Sequence, residues 1–342
     1  MLDIAILLIL FAFTMYKIEL IKPDDEPVDN KLLTRNATTV LKGLSAFFVI
    51  AAHTHAWLQD SVQTITINKF TDIILTQLGG MGVLIFFFLS GYGIQEGYGK
   101  RVVDRTYIYK RIKNVLLPYV ELKLFFTIAG LLTGSITVKD IPARLLGILT
   151  LEDWFIFVIV IEYFFYYVAR KILRQNYILL LLVLNIGLTI IFILQNRADR
   201  YINSMWLFLF GIILSMYQES FYKILKNHII PVSLLSLMLF FITGAIFAIN
   251  KGALWADIVK PISGMALCVF LICITHGIRL NSPFLAWGGQ RSLYLYIVHI
   301  WVFSLIQNRI SSVMLLIVLY VAVTIVTVEV FYRLRKWPSL AK

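Results

Sequence analysis

Val40-Leu-Lys42-Gly-Leu-Ser-Ala-Phe-Phe-Val-Ile-Ala-Ala-His53-Thr-His55-Ala-Trp57 is an apolar stretch with a lysine near its start and a histidine near its far end. Its length suits one crossing of a bilayer. Lys42 and His53 stand eleven positions apart, about three helical turns and about 16 Å of rise. They therefore project from one face, at two depths. Ionisable groups inside a bilayer are costly, so a cation below a base on one helix face reads as a functional site.

Outward from this stretch the chain keeps the same character. Of 342 residues, 60% are hydrophobic and 15% charged, more apolar surface than a soluble domain of this size could hide. Apolar runs of spanning length fall near 2–21, 38–57, 73–94, 115–134, 153–171, 177–195, 203–219, 228–248, 257–276, 290–307 and 311–333. The fold class expected is therefore all-α, a polytopic membrane helix bundle. Residues 1–34 read as an N-terminal membrane helix and a linker containing Pro-Asp-Asp-Glu-Pro, and 35–342 as the main transmembrane domain. Asp3 precedes the first apolar core, and neither a basic leader nor a small-residue cleavage site is evident, so that helix is expected to be retained.

The net charge of +12 sits in short connecting loops. Nineteen loop cations fall on one side of the predicted spans and seven on the other, which predicts that the first side, with the C-terminus, is cytoplasmic. Lys42 then lies near the cytoplasmic end of its helix and His53 in the outer half. Nucleic acid is not expected as a partner, because no soluble domain exists to hold a duplex. Cys268 and Cys273 sit five apart in one apolar segment, on different helix faces, and match no metal-ligand spacing. No metal site is expected.

Four further segments carry candidate chemistry. Phe86-Phe-Phe-Leu89-Ser90-Gly91-Tyr92-Gly93 ends a span with small residues, which permit close helix packing or an opened helix. Lys100 to Asn114 holds Lys110, Arg111 and Lys113 among its cations and leads to Pro118-Tyr119. Such a cluster serves as a topology signal and equally as a phosphate-binding surface. Trp154 to Tyr163 is an aromatic span with Glu162 well inside it; that carboxyl could pair with a cation, orient a histidine or sit neutral in a packed interface. Finally, in Trp287-Gly-Gly-Gln-Arg291-Ser292-Leu-Tyr-Leu-Tyr296-Ile-Val-His299, the spacing of four and three puts Ser292, Tyr296 and His299 on one face, as a cavity lining would require.

Taken together, these segments resemble the acyltransferase-3 family of integral-membrane O-acyltransferases, in the branch that modifies bacterial surface polysaccharides. Lys42, ten residues and His53 match the basic-x10-His signature. Phe87-Phe-Leu-Ser-Gly-Tyr92 is similar to the family's Phe-Phe-x-x-Ser-Gly segment, and Trp154 to Tyr163 to its Trp-Phe helix. Tyr201-Ile-Asn-Ser-Met-Trp-Leu-Phe-Leu-Phe-Gly211 and Ser292 to His299 resemble two later motifs. The likeness runs from about residue 35 to 335. Two departures stand out: lysine at position 42, and Arg111-x-x-Asn114 where the family has Arg-x-x-Arg.

The resemblance implies a ten-helix core, here with one extra N-terminal helix. It implies an O-acetyltransferase of the cell inner or plasma membrane that uses acetyl-CoA as donor and a polysaccharide or lipid-linked glycan as acceptor. Donor phosphates would meet Lys110, Arg111, Lys113 and Arg291. His53 would act as general base or carry the acetyl group, and Lys42 would stabilise developing charge. His299 completes the catalytic set, with Ser292, Tyr296, Glu162 and Trp154 on the acceptor side. A transporter or flippase of a polar glycan or lipid is the alternative; it requires broken helices at Ser90-Gly91 and Gly288-Gly289.

Overall fold

The computed structural model describes residues 12, 16–20, 31–61, 69–197, 199–250, 253–307, 310 and 312–340. Among these, the chain is a succession of helices. In order they are α1 (Arg35–Ser61), α2 (Lys69–Tyr98), α3 (Arg105–Arg111), α4 (Leu117–Leu132), α5 (Ile141–Leu149), α6 (Trp154–Ile172), α7 (Tyr177–Leu194), α8 (Asp199–Met216), α9 (Gln218–Ile249), α10 (Leu254–Gly277), α11 (Pro283–Gln290), α12 (Ser292–Ile306) and α13 (Val313–Leu340). Seven helical segments are long and apolar enough to cross a bilayer, and Arg200–Met216 and Ser292–Ile306 are shorter apolar helices. The all-α polytopic bundle read from the sequence is the fold, and each predicted span from 38–57 onward coincides with a helix.

The expected first span, 2–21, and most of the segment 1–34 lie outside the described residues. The part that is described departs from expectation. Ile18–Leu20 forms a strand, β1, paired antiparallel with β2 (Ile278–Leu280), with Glu19 opposite Arg279. Lys17, at φ 59°, turns the chain just before it and is incompatible with continuing a helix.

The molecule divides into two compact units, residues 1–104 with 161–290, and 105–160 with 291–342. In the first, α1 and α2 pack along each other around Ala51, Leu75 and Leu78, α2 crosses α8, and α9 pairs with α10. Burial separates inner helices from lipid-facing ones: 61% of the α1 span is buried but only 11% of the α9 span. On α9, Ile230, Leu234, Met238, Phe241 and Ile242 form an exposed apolar stripe at helical spacing, suited to hydrocarbon. This helix bends at His228 (φ −137°), just before Pro231, whose missing N–H and ring break the hydrogen-bond ladder.

At two crossings, glycines on both partners bring the backbones into direct contact. A Cβ on Gly43 of α1 would strike the carbonyl of Leu285 at α11, and one on Gly289 would strike that of Thr39. Likewise Gly91 of α2 faces the carbonyl of Phe208, and Gly211 of α8 that of Phe88. Of the two readings open for Ser90-Gly91, close packing is the one adopted. Helix α2 runs unbroken through it, and Ser90 Oγ donates to Phe86 O within the helix (2.8 Å). The transporter alternative loses one of its two expected breaks.

In the second unit, α12 packs on α13 and on α4, and α5 on α4. Between α3 and α4 lies a five-residue π-helix, Ile112–Leu116, closed by the Leu117 N–H donating to Ile112 O. Pro118, just beyond, has no N–H to continue the regular ladder there.

Candidate active site

In the first unit, α1 is one uninterrupted helix, so Lys42 and His53 keep the shared face that their spacing predicts; both are half-buried. The His53 ring lies 5.5 Å from that of Trp57, one turn on. Its charged neighbour is Arg200, in the first turn of α8. One turn further along α8, Asn203 is 1% exposed and neither atom of its amide has a hydrogen-bond partner. Ser204 beside it donates to Arg200 O (2.7 Å). A half-buried imidazole, a guanidinium and a buried, unsatisfied amide thus belong to two helices of one unit. This set can take a proton from a hydroxyl, offset negative charge, and donate to and accept from a polar ligand.

His55 does different work. It projects from another face of α1, is 3% exposed, and its Nε2 lies 2.8 Å from Asp72 Oδ1 on α2. Gln59 donates to the same oxygen (2.7 Å). The pair ties α1 to α2 two residues beyond His53. Glu162 is wholly buried in α6; Asn185 of α7 is its polar neighbour, and neither carboxyl oxygen has a hydrogen bond of ordinary geometry. Among the described residues, no cation pairs with it.

The remaining residues anticipated from the sequence belong to the second unit. His299 is fully buried, and its Nδ1 donates to Leu295 O (2.8 Å), which leaves Nε2 as the basic nitrogen of the neutral ring. Its ring meets that of Tyr296 at 6.0 Å, Tyr296 stacks on Phe155 at 3.9 Å, and Phe155 meets Trp154 edge-on at 6.1 Å. The structure therefore joins Trp154, Tyr296 and His299 in one aromatic chain through Phe155. The face expected to line a cavity is largely filled by rings; Ser292, at the start of α12, is 8% exposed.

The four cations expected to hold donor phosphates differ among themselves. Arg291 is committed elsewhere: its guanidinium donates to both oxygens of Glu329 (2.7 and 3.2 Å) and lies over the Tyr332 ring at 3.9 Å. Arg111 stacks over Tyr107 at 5.4 Å, and Lys110 and Lys113 are exposed.

Lys123 escaped the sequence reading. It lies inside α4, its side chain is 4% exposed, and it pairs with Glu152 (2.7 Å) and Asp153 (2.8 Å) while sitting 4.6 Å over the ring of Trp301. A lone lysine within a span is a signal in its own right, and two acids just before Trp154 supply its partners. Arg200 also escaped as a neighbour of His53, because some 150 residues separate them along the chain.

Among the described residues, no group of three or more His, Cys, Asp and Glu converges as a metal site would require. No curated protein and no solved structure matches the chain. A family model described as an acyltransferase domain, acyltransferase-3, matches residues 36–333 and so takes in most of both units and every candidate site residue. With its succession of membrane-spanning helices, the chain belongs to the acyltransferase-3 family and is a multi-pass membrane acyltransferase.

Proposed function

We propose that the protein is an O-acetyltransferase that moves an acetyl group from acetyl-CoA, supplied on the cytoplasmic side, to a hydroxyl of a cell-surface or lipid-linked glycan. The observation that carries this reading is His53: a half-buried imidazole within a span, above a lysine on the same helix face and beside Arg200. In the step proposed, His53 takes the proton of the acceptor hydroxyl as its oxygen attacks the thioester carbonyl carbon. The tetrahedral oxyanion draws on nearby positive charge, for which Lys42 and Arg200 are the candidates. Collapse breaks the C–S bond, and the departing thiolate recovers the proton from the imidazolium. The buried amide of Asn203, able to donate and accept, suits a sugar hydroxyl. The excess of cations at the Lys42 end supports a cytoplasmic C-terminus in the plasma or inner membrane.

Purified protein in nanodiscs, given acetyl-CoA and the glycan of its host, is expected to release thiol and acetylate the glycan, read by mass spectrometry. His53→Ala should lower turnover at least 100-fold. Lys42→Met should lower it more than Lys42→Arg, with normal membrane insertion of both. Wild-type rates in His53→Ala, or glycan movement across the bilayer with no acetyl transfer, would refute the proposal.

A further inference from the structure

At the cation-rich ends of α2, α6, α7 and α9, the first unit opens into a cleft of about 1200 Å³. Lys100, Arg101, Arg174, Lys223 and Lys226 line it. Two carboxylates also reach it, Glu96 and Glu219. Glu96 is occupied from within: Ser215 and Gln218 both donate to it, and Lys31 lies 4.0 Å away. The surplus of positive charge is therefore large and concentrated.

The walls are fixed rather than loose. Arg170 of α6 donates to the carbonyls of Tyr98, Gly99 and Arg101, so it closes the C-terminal end of α2 and holds the turn that carries Lys100 and Arg101. The same guanidinium lies 4.7 Å over the ring of Tyr177. Below it, Gln95 accepts from Tyr166 (3.1 Å) and Tyr177 (2.8 Å), a buried polar floor with its hydrogen bonds satisfied. Positive side chains on a rigid rim above a satisfied floor are suited to a polyphosphate, because Arg binds phosphate oxygens in pairs and Lys supplies point charge. The volume exceeds that of most small-ligand pockets, as a nucleotide with several phosphates would need.

We propose that this cleft holds the phosphorylated nucleotide end of the donor, in place of the cluster Lys110, Arg111, Lys113 and Arg291. The assignment rests on the acyl-CoA reading above and specifies where that donor binds. The cleft belongs to the same compact unit as Lys42 and His53, and Lys31, at its rim, precedes α1 by only a few residues. Arg291, by contrast, has its fork filled by Glu329.

The test uses the full chain in zwitterionic nanodiscs, with coenzyme A and adenosine 3′,5′-bisphosphate as probes. Wild type is expected to bind both, more weakly as salt rises. The pairs Lys100→Glu with Arg101→Glu, and Lys223→Glu with Lys226→Glu, should each raise Kd for coenzyme A at least tenfold and the KM for acetyl-CoA in step. Their kcat and melting temperature should stay near wild type, and Lys139→Glu, which belongs to the other unit, should change nothing. If acetyl transfer proceeds with unaltered KM in both cleft pairs, the assignment is overturned while the acetyltransferase reading stands. The same holds if Lys110→Glu with Lys113→Glu raises KM instead. Binding that is abolished by the cleft pairs, in a protein that transfers no acetyl group, would keep the phosphate site and refute the acetyltransferase. Cleft-dependent binding of phosphatidylglycerol without binding of either nucleotide probe would assign the cleft to a lipid headgroup and overturn the donor site.

Discussion

Lys123 is the most deeply enclosed cation whose partners are defined, and its surroundings allow the cost of each deletion to be ranked. Its ammonium is almost fully buried, whereas Glu152 and Asp153 keep 44% and 34% of their side chains exposed. Removing the lysine leaves two carboxylates that water can reach; removing the acids leaves an uncompensated buried cation. Lys123→Met should therefore cost about 1 kcal/mol or less, and Glu152→Gln with Asp153→Asn about 3 kcal/mol. Combining all three changes should recover most of the loss. Thermal melting of the purified variants checks the order, and equal stability of Lys123→Met and the double acid variant would contradict it. Other residues divide by what they touch. His55 and Arg291 are engaged by carboxylates and act as fasteners, whereas the buried amide of Asn203 has a hydrogen bond at neither atom.

At the scale of elements, the glycines separate contact from mere flexibility. Gly91 and Gly93 lie on the same helix, two residues apart, yet a Cβ at Gly91 would meet the backbone of Phe208 and one at Gly93 would meet nothing within 4 Å. Gly91→Ala should force α2 and α8 apart and destabilise the protein by about 2 kcal/mol. Gly93→Ala should be neutral or stabilise by up to about 1 kcal/mol through helix propensity. A melting curve for each decides; a larger drop for Gly93→Ala would overturn the account. The same scale shows what the sequence made legible. Apolar runs announce themselves by length, and among the described residues ten of those predicted coincide with helices to within a few residues at most ends. A three-residue ribbon carries too short a pattern to read. The π-helix before Pro118 depends on where hydrogen bonds shift, which composition does not encode. The Lys42–His53 spacing was legible because one helix carries both residues. The proximity of His53 to Arg200 was not, since they lie on helices far apart in the chain, nor was the pairing of Lys123 with its acids, which joins a helix to a turn 29 residues on.

Across the whole molecule, the family match and the alternation of long apolar helices agree on a multi-pass membrane acyltransferase. Which end faces the cytoplasm rests on the distribution of loop cations, and the thiols offer a way to read it. The chain has two cysteines, Cys268 and Cys273, both free and sealed within α10 at 1% and 3% exposure. The native protein is thus already a silent background for membrane-impermeant maleimides, with no need for a cysteine-free variant. Val102 and Val138, 86% and 75% exposed, sit at opposite ends of the single crossing made by α3 and α4. In intact cells, Val138→Cys should label and Val102→Cys should label only after permeabilisation; the reverse pattern would invert the proposed orientation.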